Sequence, residues 1–214
     1  MKSSLRGGQK EILERKHLQQ LFDALVKRGY RLAGPTARDR AIVYDELGSV
    51  ADLPVGWTDE QDGGTYRLKK RADQALFGYA VGPHSWKKFL LQPEMRLWQA
   101  RRNRRGFQVL AGDEETPRYA FVGVRSCDLH AIATQDKVFL SGEYADPSYK
   151  SRRERAFVVA VNCGQAGGTC FCVSMGTGPK ATFGFDLALT EVLDSERHYF
   201  LVEIGTELGA AILH

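Results

Sequence analysis

The cysteines of this chain fall into two compact motifs, and this grouping restricts its fold more than any other feature of the sequence. Three of the four cysteines, Cys163, Cys170 and Cys172, lie in the glycine-rich stretch NCGQAGGTCFCVSMGTGP at residues 162–179. The fourth, Cys127, lies upstream in VGVRSCDLHAI. Inert thiols would not be expected to gather in this way, so the two motifs predict a shared site.

Each cysteine motif directly follows an apolar run of strand length, at residues 119–124 and 156–161. Continuous apolar runs are typical of central strands that are buried on both faces. In open α/β sheets, functional groups gather beyond the carboxyl ends of strands. The sequence therefore predicts an α/β fold, with α+β as the alternative. We expect a mixed β-sheet flanked by helices, with the cysteine loops at the C-terminal ends of its strands.

The four thiols suit the chemistry of an iron–sulfur cluster, which needs thiolates that converge on one point and N–H groups that offset negative charge. Cys170 and Cys172 can supply two ligands, Cys163 can reach the same centre through its glycine loop, and Cys127 can arrive from a neighbouring strand. The glycines of residues 176–179 leave backbone amides free to face anionic sulfur. One [4Fe-4S] cluster is therefore predicted, with these four cysteines as its cofactor-binding and metal-ligating residues.

Other interpretations of the same thiols stay open at this point. Free cysteines often serve as small buried hydrophobic residues, in which case the domain would be a cluster-free structural docking module. An all-cysteine zinc site uses the same ligands, although its usual C-x2-C pairs are absent. A thiol enzyme is a further alternative. Asp128 could cap a helix beside Cys127, which would lower the pKa of that thiol, and His84 or His130 could activate it. Disulfides are not expected in a cytosolic chain.

Hydrophobic periodicity predicts several further elements. They are a helix over residues 11–27, a strand over 77–81, a helix over 93–102, a helix from Asp128 to Val138, paired strands over 181–190 and 199–204, and a last helix after Thr206.

Composition and charge exclude several classes of protein. Hydrophobic residues make up 43% of the chain and charged residues 26%, which is typical of globular proteins. The formal net charge is +4, with basic runs at residues 101–105 and 150–155. These runs lack the interleaved aromatic residues of a single-strand binder, so we expect no nucleic acid and interpret them as docking surfaces. No apolar run approaches the ~20 residues of a membrane span, and no signal peptide is evident, so we expect a cytoplasmic protein without membrane insertion.

The cysteine motifs also carry a resemblance to a known family. The matching segments are GPHSWKKF at 82–89, GVRSCDLHAI at 123–132, GGTCFC at 167–172, SMGTGP at 174–179 and GFDLALT at 184–190. In these segments the chain resembles the N-terminal region of the iron–sulfur beta subunit of sulfhydrogenase-type soluble nickel–iron hydrogenases. It is similar, more distantly, to one of the subunits of the anaerobic sulfite reductase. Ser126 stands where the hydrogenase family usually has proline.

The resemblance implies an electron-transfer subunit with no catalytic site of its own. Such a subunit relays electrons between a flavoprotein gamma-type subunit, which handles NAD(P)H, and the hydrogenase small subunit. Members of the family also carry further clusters on C-x2-C-x2-C-x3-C-P runs, which this sequence lacks. We therefore expect residues 1–205 to be the N-terminal domain, with residues 1–105 as a candidate lobe. Residues 206–214 would begin a truncated linker to a missing ferredoxin-like domain.

Overall fold

A computed structural model describes residues 10–80, 82, 84–103, 106–111 and 116–214. The strands of these residues are β1 Lys10–Glu14, β2 Arg31–Arg38, β3 Ala41–Leu47, β4 Trp57–Asp62, β5 Thr65–Lys70, β6 Trp98–Asn103, β7 Gly106–Ala111, β8 Tyr119–Val124, β9 Phe157–Val161, β10 Leu187–Leu193 and β11 His198–Ile204. The α-helices are α1 Leu18–Lys27, α2 Lys87–Leu90, α3 Ser126–Phe139, α4 Pro147–Glu154 and α5 Glu207–Leu213.

Within the described ranges, seven strands form one mixed sheet in the order β1-β11-β10-β9-β8-β2-β3. The central strands β2, β8, β9 and β10 pair in parallel, and the outer strands pair antiparallel. The pairs β4-β5 and β6-β7 form separate two-stranded hairpins. The predicted mixed sheet flanked by helices is therefore confirmed, and both apolar runs lie at its centre.

The central strands are apolar throughout because both faces of the sheet are covered. Neighbouring residues of a strand point to opposite faces, so Phe121 and Val122 belong to two different core clusters. One cluster contains the inner faces of α1 and α5, with Phe22 and Ile212 among its buried residues. The other packs Trp86 and Tyr149 against the start of α3.

The first predicted helix is wrong in its N-terminal half. Residues 10–14 form β1, which pairs antiparallel with β11 and places Leu13 opposite Phe200. The α-helix begins only at Leu18, from which buried residues recur at Leu21, Phe22 and Leu25. Pairing with the edge of the sheet satisfies backbone N–H and C=O groups of residues 10–14. Helical periodicity in the sequence could not predict this pairing.

Two more predicted elements are wrong. Residues 98–102 of the predicted helix over 93–102 lie in β6 instead. This strand pairs antiparallel with β7. The predicted strand at 77–81 is irregular over its described residues 77–80, while Val81 lies outside the described residues. Side chains rather than a ladder bind this segment, because Glu191 accepts from the Phe77 N–H and Arg125 donates to the Phe77 carbonyl.

The end of the chain follows its prediction closely. The α5 helix begins after Thr206, whose side-chain oxygen accepts from the Gly209 N–H at 3.0 Å. The helix buries Ala210 and Ile212 in the core. The domain boundary after residue 205 stays a prediction. No helix among the described residues is both long enough and apolar enough to cross a membrane.

The buried centre of β10 provides a test of the fold. Leu189 is fully buried, whereas Leu193 on the same strand is 37% exposed. We expect Leu189→Ala to lower the free energy of unfolding by about 2–5 kcal/mol, because it leaves a cavity between the layers. Leu193→Ala, the matched control, should cost less than about 1.5 kcal/mol. Urea unfolding followed by circular dichroism measures both, and equal losses would contradict the assigned burial.

A candidate site at the cysteine cavity

All four cysteines line one cavity of about 480 Å³ at the carboxyl ends of β8 and β9. Cys127 follows β8 in the first turn of α3, and Cys163 lies two residues beyond β9. Cys170 and Cys172 come from the glycine-rich stretch that closes the cavity. The structure thus brings together every residue that the sequence predicted as a ligand. We call this space the thiol cavity.

The thiols of the cavity influence one another electrostatically. Burial is the largest cause of the raised pKa of Cys163, and the neighbouring Cys172 and Cys170 raise it further. Burial likewise raises the pKa of Cys127 to about 12, with contributions from Asp128, Cys163 and Cys172. Burial therefore favours the neutral form of Cys127 and Cys163, although the charge of Arg125 opposes this effect at Cys163.

The predicted low pKa of Cys127 is wrong, and so is the predicted helix start. The helix begins at Ser126, with Arg125 as N-cap residue, so Cys127 lies inside the first turn and not before it. Asp128 occupies the third helical position, where its carboxylate accepts from the Arg125 N–H at 3.1 Å. Burial outweighs the helix terminus at Cys127. The two histidines that could act as bases are placed differently. His84 is exposed, and the His130 ring packs edgewise against Phe183.

A bulge at the end of β8 directs the chain into the thiol cavity. The register between β8 and β9 shifts between Val122 and Val124, and the intervening Gly123 has a φ of 91°. That conformation favours glycine. A larger residue at position 123 would also be crowded, because a Cβ at Gly123 would lie 3.1 Å from Pro35. The bulge re-aims the backbone just before Arg125.

A buried aromatic group supports the start of α3. The Asp128 carboxylate accepts from the Tyr44 hydroxyl at 3.3 Å and from the Trp86 indole N–H at 3.2 Å. The Tyr44 and Trp86 rings stack with centroids 4.1 Å apart. Trp86 therefore has a structural role.

The glycine loop of the thiol cavity packs tightly against β4. A Cβ at Gly168 would lie only 2.2 Å from the backbone oxygen of Gln61, and the Thr169 hydroxyl donates to the Gln61 side chain at 2.7 Å. The Gly167 N–H donates to the Cys170 sulfur at 3.2 Å. Close backbone approach, rather than flexibility, is thus what this stretch requires of its glycines. Sequence reasoning missed the contact with β4 because nothing in Trp57–Asp62 marks it.

A second group that sequence reasoning missed is centred on Arg71. Its guanidinium makes two 2.6 Å bonds to Asp73 and donates to Gly78 at 3.1 Å and to the Gln165 side chain at 2.6 Å. The pKa of Asp73 falls to about 2 because of its hydrogen bonds with Arg71. This group lines a second cavity of about 290 Å³, which shares Cys163, Gly164 and Gln165 with the thiol cavity. A lone arginine between turns gave no sequence signal.

The mouth of the thiol cavity is apolar. The side chains of Phe171, Val173 and Met175 are each at least 64% exposed. Phe171 and Val173 flank Cys172 in the sequence, and Met175 follows two residues later. An exposed apolar group of this kind is typical of surfaces that contact other molecules. We call these three residues the apolar rim.

The second basic run is less available for docking than the sequence suggested. Arg152 is buried and donates to the Phe89 carbonyl at 3.5 Å, while Arg153 pairs with Asp136 at 3.1 Å. Both side chains hold α4 against its neighbours. In the first basic run, Arg101, Arg102 and Asn103 lie on β6, and residues 104–105 fall outside the described residues.

The donors around the thiol cavity are four thiols, which both a cubane cluster and an all-cysteine zinc site use as ligands. In the described part of the chain, no set of three or more His, Cys, Asp or Glu side chains is gathered closely enough to hold a metal ion. The four cysteines therefore fit a cluster by residue type.

Comparison with known proteins places the chain beside one curated relative. It is 29% identical over 197 residues to Sulfhydrogenase 2 subunit beta of Pyrococcus furiosus. The match covers 92% of this chain and 48% of the relative, so the chain spans about half the length of that protein. No family model matches the chain, and no solved structure matches it. The resemblance stated from the motifs is confirmed by this relative.

The packing of Gly168 leads to a matched pair of substitutions. We expect Gly168→Ala to lower the free energy of unfolding by about 1–3 kcal/mol, because its Cβ would overlap a backbone oxygen of β4. Gly164→Ala is the control, since nothing lies within 4 Å of a Cβ at that position. Its effect should stay within about 0.5 kcal/mol. Urea unfolding measures both, and an unaffected Gly168 variant would contradict the described contact.

The raised pKa of Cys127 predicts slow alkylation. With a pKa of about 12, its thiolate fraction near neutral pH is far below that of an ordinary thiol. We expect iodoacetamide to label Cys127 at least ~100-fold more slowly than the exposed Cys170, with the Cys127 rate rising about tenfold for each pH unit. Peptide mass spectrometry measures each rate on reduced, metal-free protein. Urea should remove the difference, and rapid labelling of folded Cys127 would contradict it.

Proposed function

We propose that this chain is the electron-transfer iron–sulfur subunit of a multimeric hydrogenase or a related reductase. One observation carries the proposal: four cysteines from distant parts of the sequence line one cavity at the carboxyl edge of the sheet. The likeness to a protein named as a sulfhydrogenase subunit supports it. In this proposal one [4Fe-4S] cluster is held by Cys127, Cys163, Cys170 and Cys172.

The cluster would supply one chemical capacity, the acceptance and release of single electrons. The chain's own residues would bind, orient and shield it. The strand ends fix the positions of Cys127 and Cys163, and the contact of Gly168 with β4 fixes the loop that carries Cys170. The Gly167 N–H already points at the Cys170 sulfur, where it would offset negative charge.

The position of the thiol cavity suits a relay between proteins. Cys170 is exposed, and the apolar rim that follows it in sequence adds exposed side chains that a partner can bury. A short path from cluster to surface favours electron exchange with a docked protein. We propose a flavoprotein gamma-type subunit that handles NAD(P)H as one partner and the hydrogenase small subunit as the other, in the cytoplasm.

The thiol-enzyme alternative has weaker support. A nucleophile needs an accessible thiolate, and burial of Cys127 raises the pKa of its thiol to about 12. The third interpretation, a docking module without a cluster, makes no use of the convergence of all four cysteines. It is therefore kept as an outcome of the experiment.

The first test is the iron and acid-labile sulfide content of protein produced and purified without oxygen. We expect close to four irons and four sulfides per chain, as a [4Fe-4S] cluster requires, with a brown colour and an EPR signal after reduction. Protein that stays colourless and metal-free, and that also fails to reconstitute, would contradict the proposal and favour the docking module.

Single cysteine variants then identify the ligands. Cys127→Ser, Cys163→Ser, Cys170→Ser and Cys172→Ser should each lose the cluster or make it unstable, because each removes one thiolate. Ser174→Ala is the matched control in the same loop and should keep normal iron content. Circular dichroism of the metal-free variants must show an intact fold. A cysteine variant with unchanged iron and an unchanged EPR signal would remove that residue from the ligand set.

A further inference from the structure

Arg125 is a fully buried cation without a carboxylate partner among the described ion pairs. Its guanidinium donates to the carbonyls of Phe77 at 2.7 Å, Tyr79 at 3.0 Å and Asn162 at 3.2 Å. It also lies 4.7 Å from the centre of the Tyr79 ring. The Nε atom is buried and has no hydrogen-bond partner. The hydrogen bonds to Phe77, Tyr79 and Asn162 thus all go to neutral backbone carbonyl groups.

Burying such a cation lowers the stability of the fold, so its presence calls for an electrostatic explanation. Removing a cation from water costs several kcal/mol, and carbonyl dipoles and an aromatic face offset only a part. Asp128 is the nearby carboxylate, but its oxygen bonds the backbone N–H of Arg125, and it also accepts from Tyr44 and Trp86. Among the described residues the guanidinium makes no ion pair, although the charge of Asp128 acts on it through space.

The position of this charge links it to the thiol cavity. Arg125 precedes Cys127 by two residues, and its Nη1 atom binds the carbonyl of Asn162, the residue directly before Cys163. The side chain thus spans the two strand ends that carry these cysteines. An attraction between Arg125 and Cys163 opposes the effect of burial on that thiol. The cation is thus buried beside the chain segments that carry Cys127 and Cys163.

We propose that Arg125 is the built-in counter-charge of the thiolate site and raises the reduction potential of the cluster held there. The inference rests on the proposed function. Uptake of one electron from a reduced protein partner would make a bound cluster one unit more negative. A nearby buried cation stabilises this reduced form more than the oxidised form, because the low-dielectric interior screens it weakly. No proton transfer is needed.

Substitution of Arg125 tests the charge directly. We expect Arg125→Gln to shift the reduction potential to more negative values, measured by EPR-monitored redox titration of cluster-loaded protein. Arg125→Lys keeps the charge and should lie close to wild type. Lys180→Gln is the control for an exposed charge. Lys180 follows Pro179, which lines the cavity, and it pairs with Glu203 at 3.1 Å. Solvent, salt and this partner screen its charge, so the reduction potential should change much less.

Each outcome decides something definite. Wild-type protein without a cluster would overturn the proposed function and this inference together. Equal potentials for wild type and Arg125→Gln, with normal iron content, would overturn the inference alone. A shift in Arg125→Lys as large as that in Arg125→Gln would also overturn it, because lost hydrogen bonds rather than lost charge would then be the cause.

A second measurement decides the question if Arg125→Gln does not fold. Wild-type protein is labelled with ¹⁵N only in the arginine guanidinium groups, and the reduced cluster is studied by electron–nuclear double resonance. A ¹⁵N coupling that survives in Arg71→Lys supports Arg125 as the nearby cation. The absence of any ¹⁵N coupling in wild type would overturn the inference.

Discussion

The parallel pairing of β8 with β9 is the constraint on which the rest of this structure depends. It places the ends of two buried strands side by side, so that Cys127 and Cys163 meet although 35 residues separate them. Parallel strands expose their carboxyl ends at one edge, where the next residues are free of the ladder. The bulge at Gly123 then turns the chain toward this edge.

The buried charge of Arg125 joins the two strand ends with the irregular segment of residues 77–80. Three carbonyls of that segment and of Asn162 accept from its guanidinium, so one side chain replaces the hydrogen bonds that a further strand would have supplied. Glu191 binds the same segment from β10 through the N–H groups of Leu76 and Phe77. A wall of the thiol cavity is therefore held by charged and polar side chains.

The strongly patterned elements could be predicted from the sequence, and the ones that depend on distant partners could not. The apolar runs that became β8 and β9 were predicted as central strands because burial on both faces leaves no polar position. Residues 11–14 and 98–102 were predicted as helical, yet both belong to strands. Their own periodicity is weak, and pairing with β11 and β7 decided their conformation.

The sequence by itself determined the chemistry of this protein: which residues are thiols, that they follow buried strands, and that glycines surround them. Only the tertiary structure decided what those residues meet. It packed β4 against Gly168 and hydrogen-bonded Arg71 to Gln165. It also hydrogen-bonded the guanidinium of Arg125 to the Asn162 carbonyl. The physical reason is that local pattern reports on burial and hydrogen bonding along the chain, whereas electrostatics and close packing depend on groups far apart in sequence.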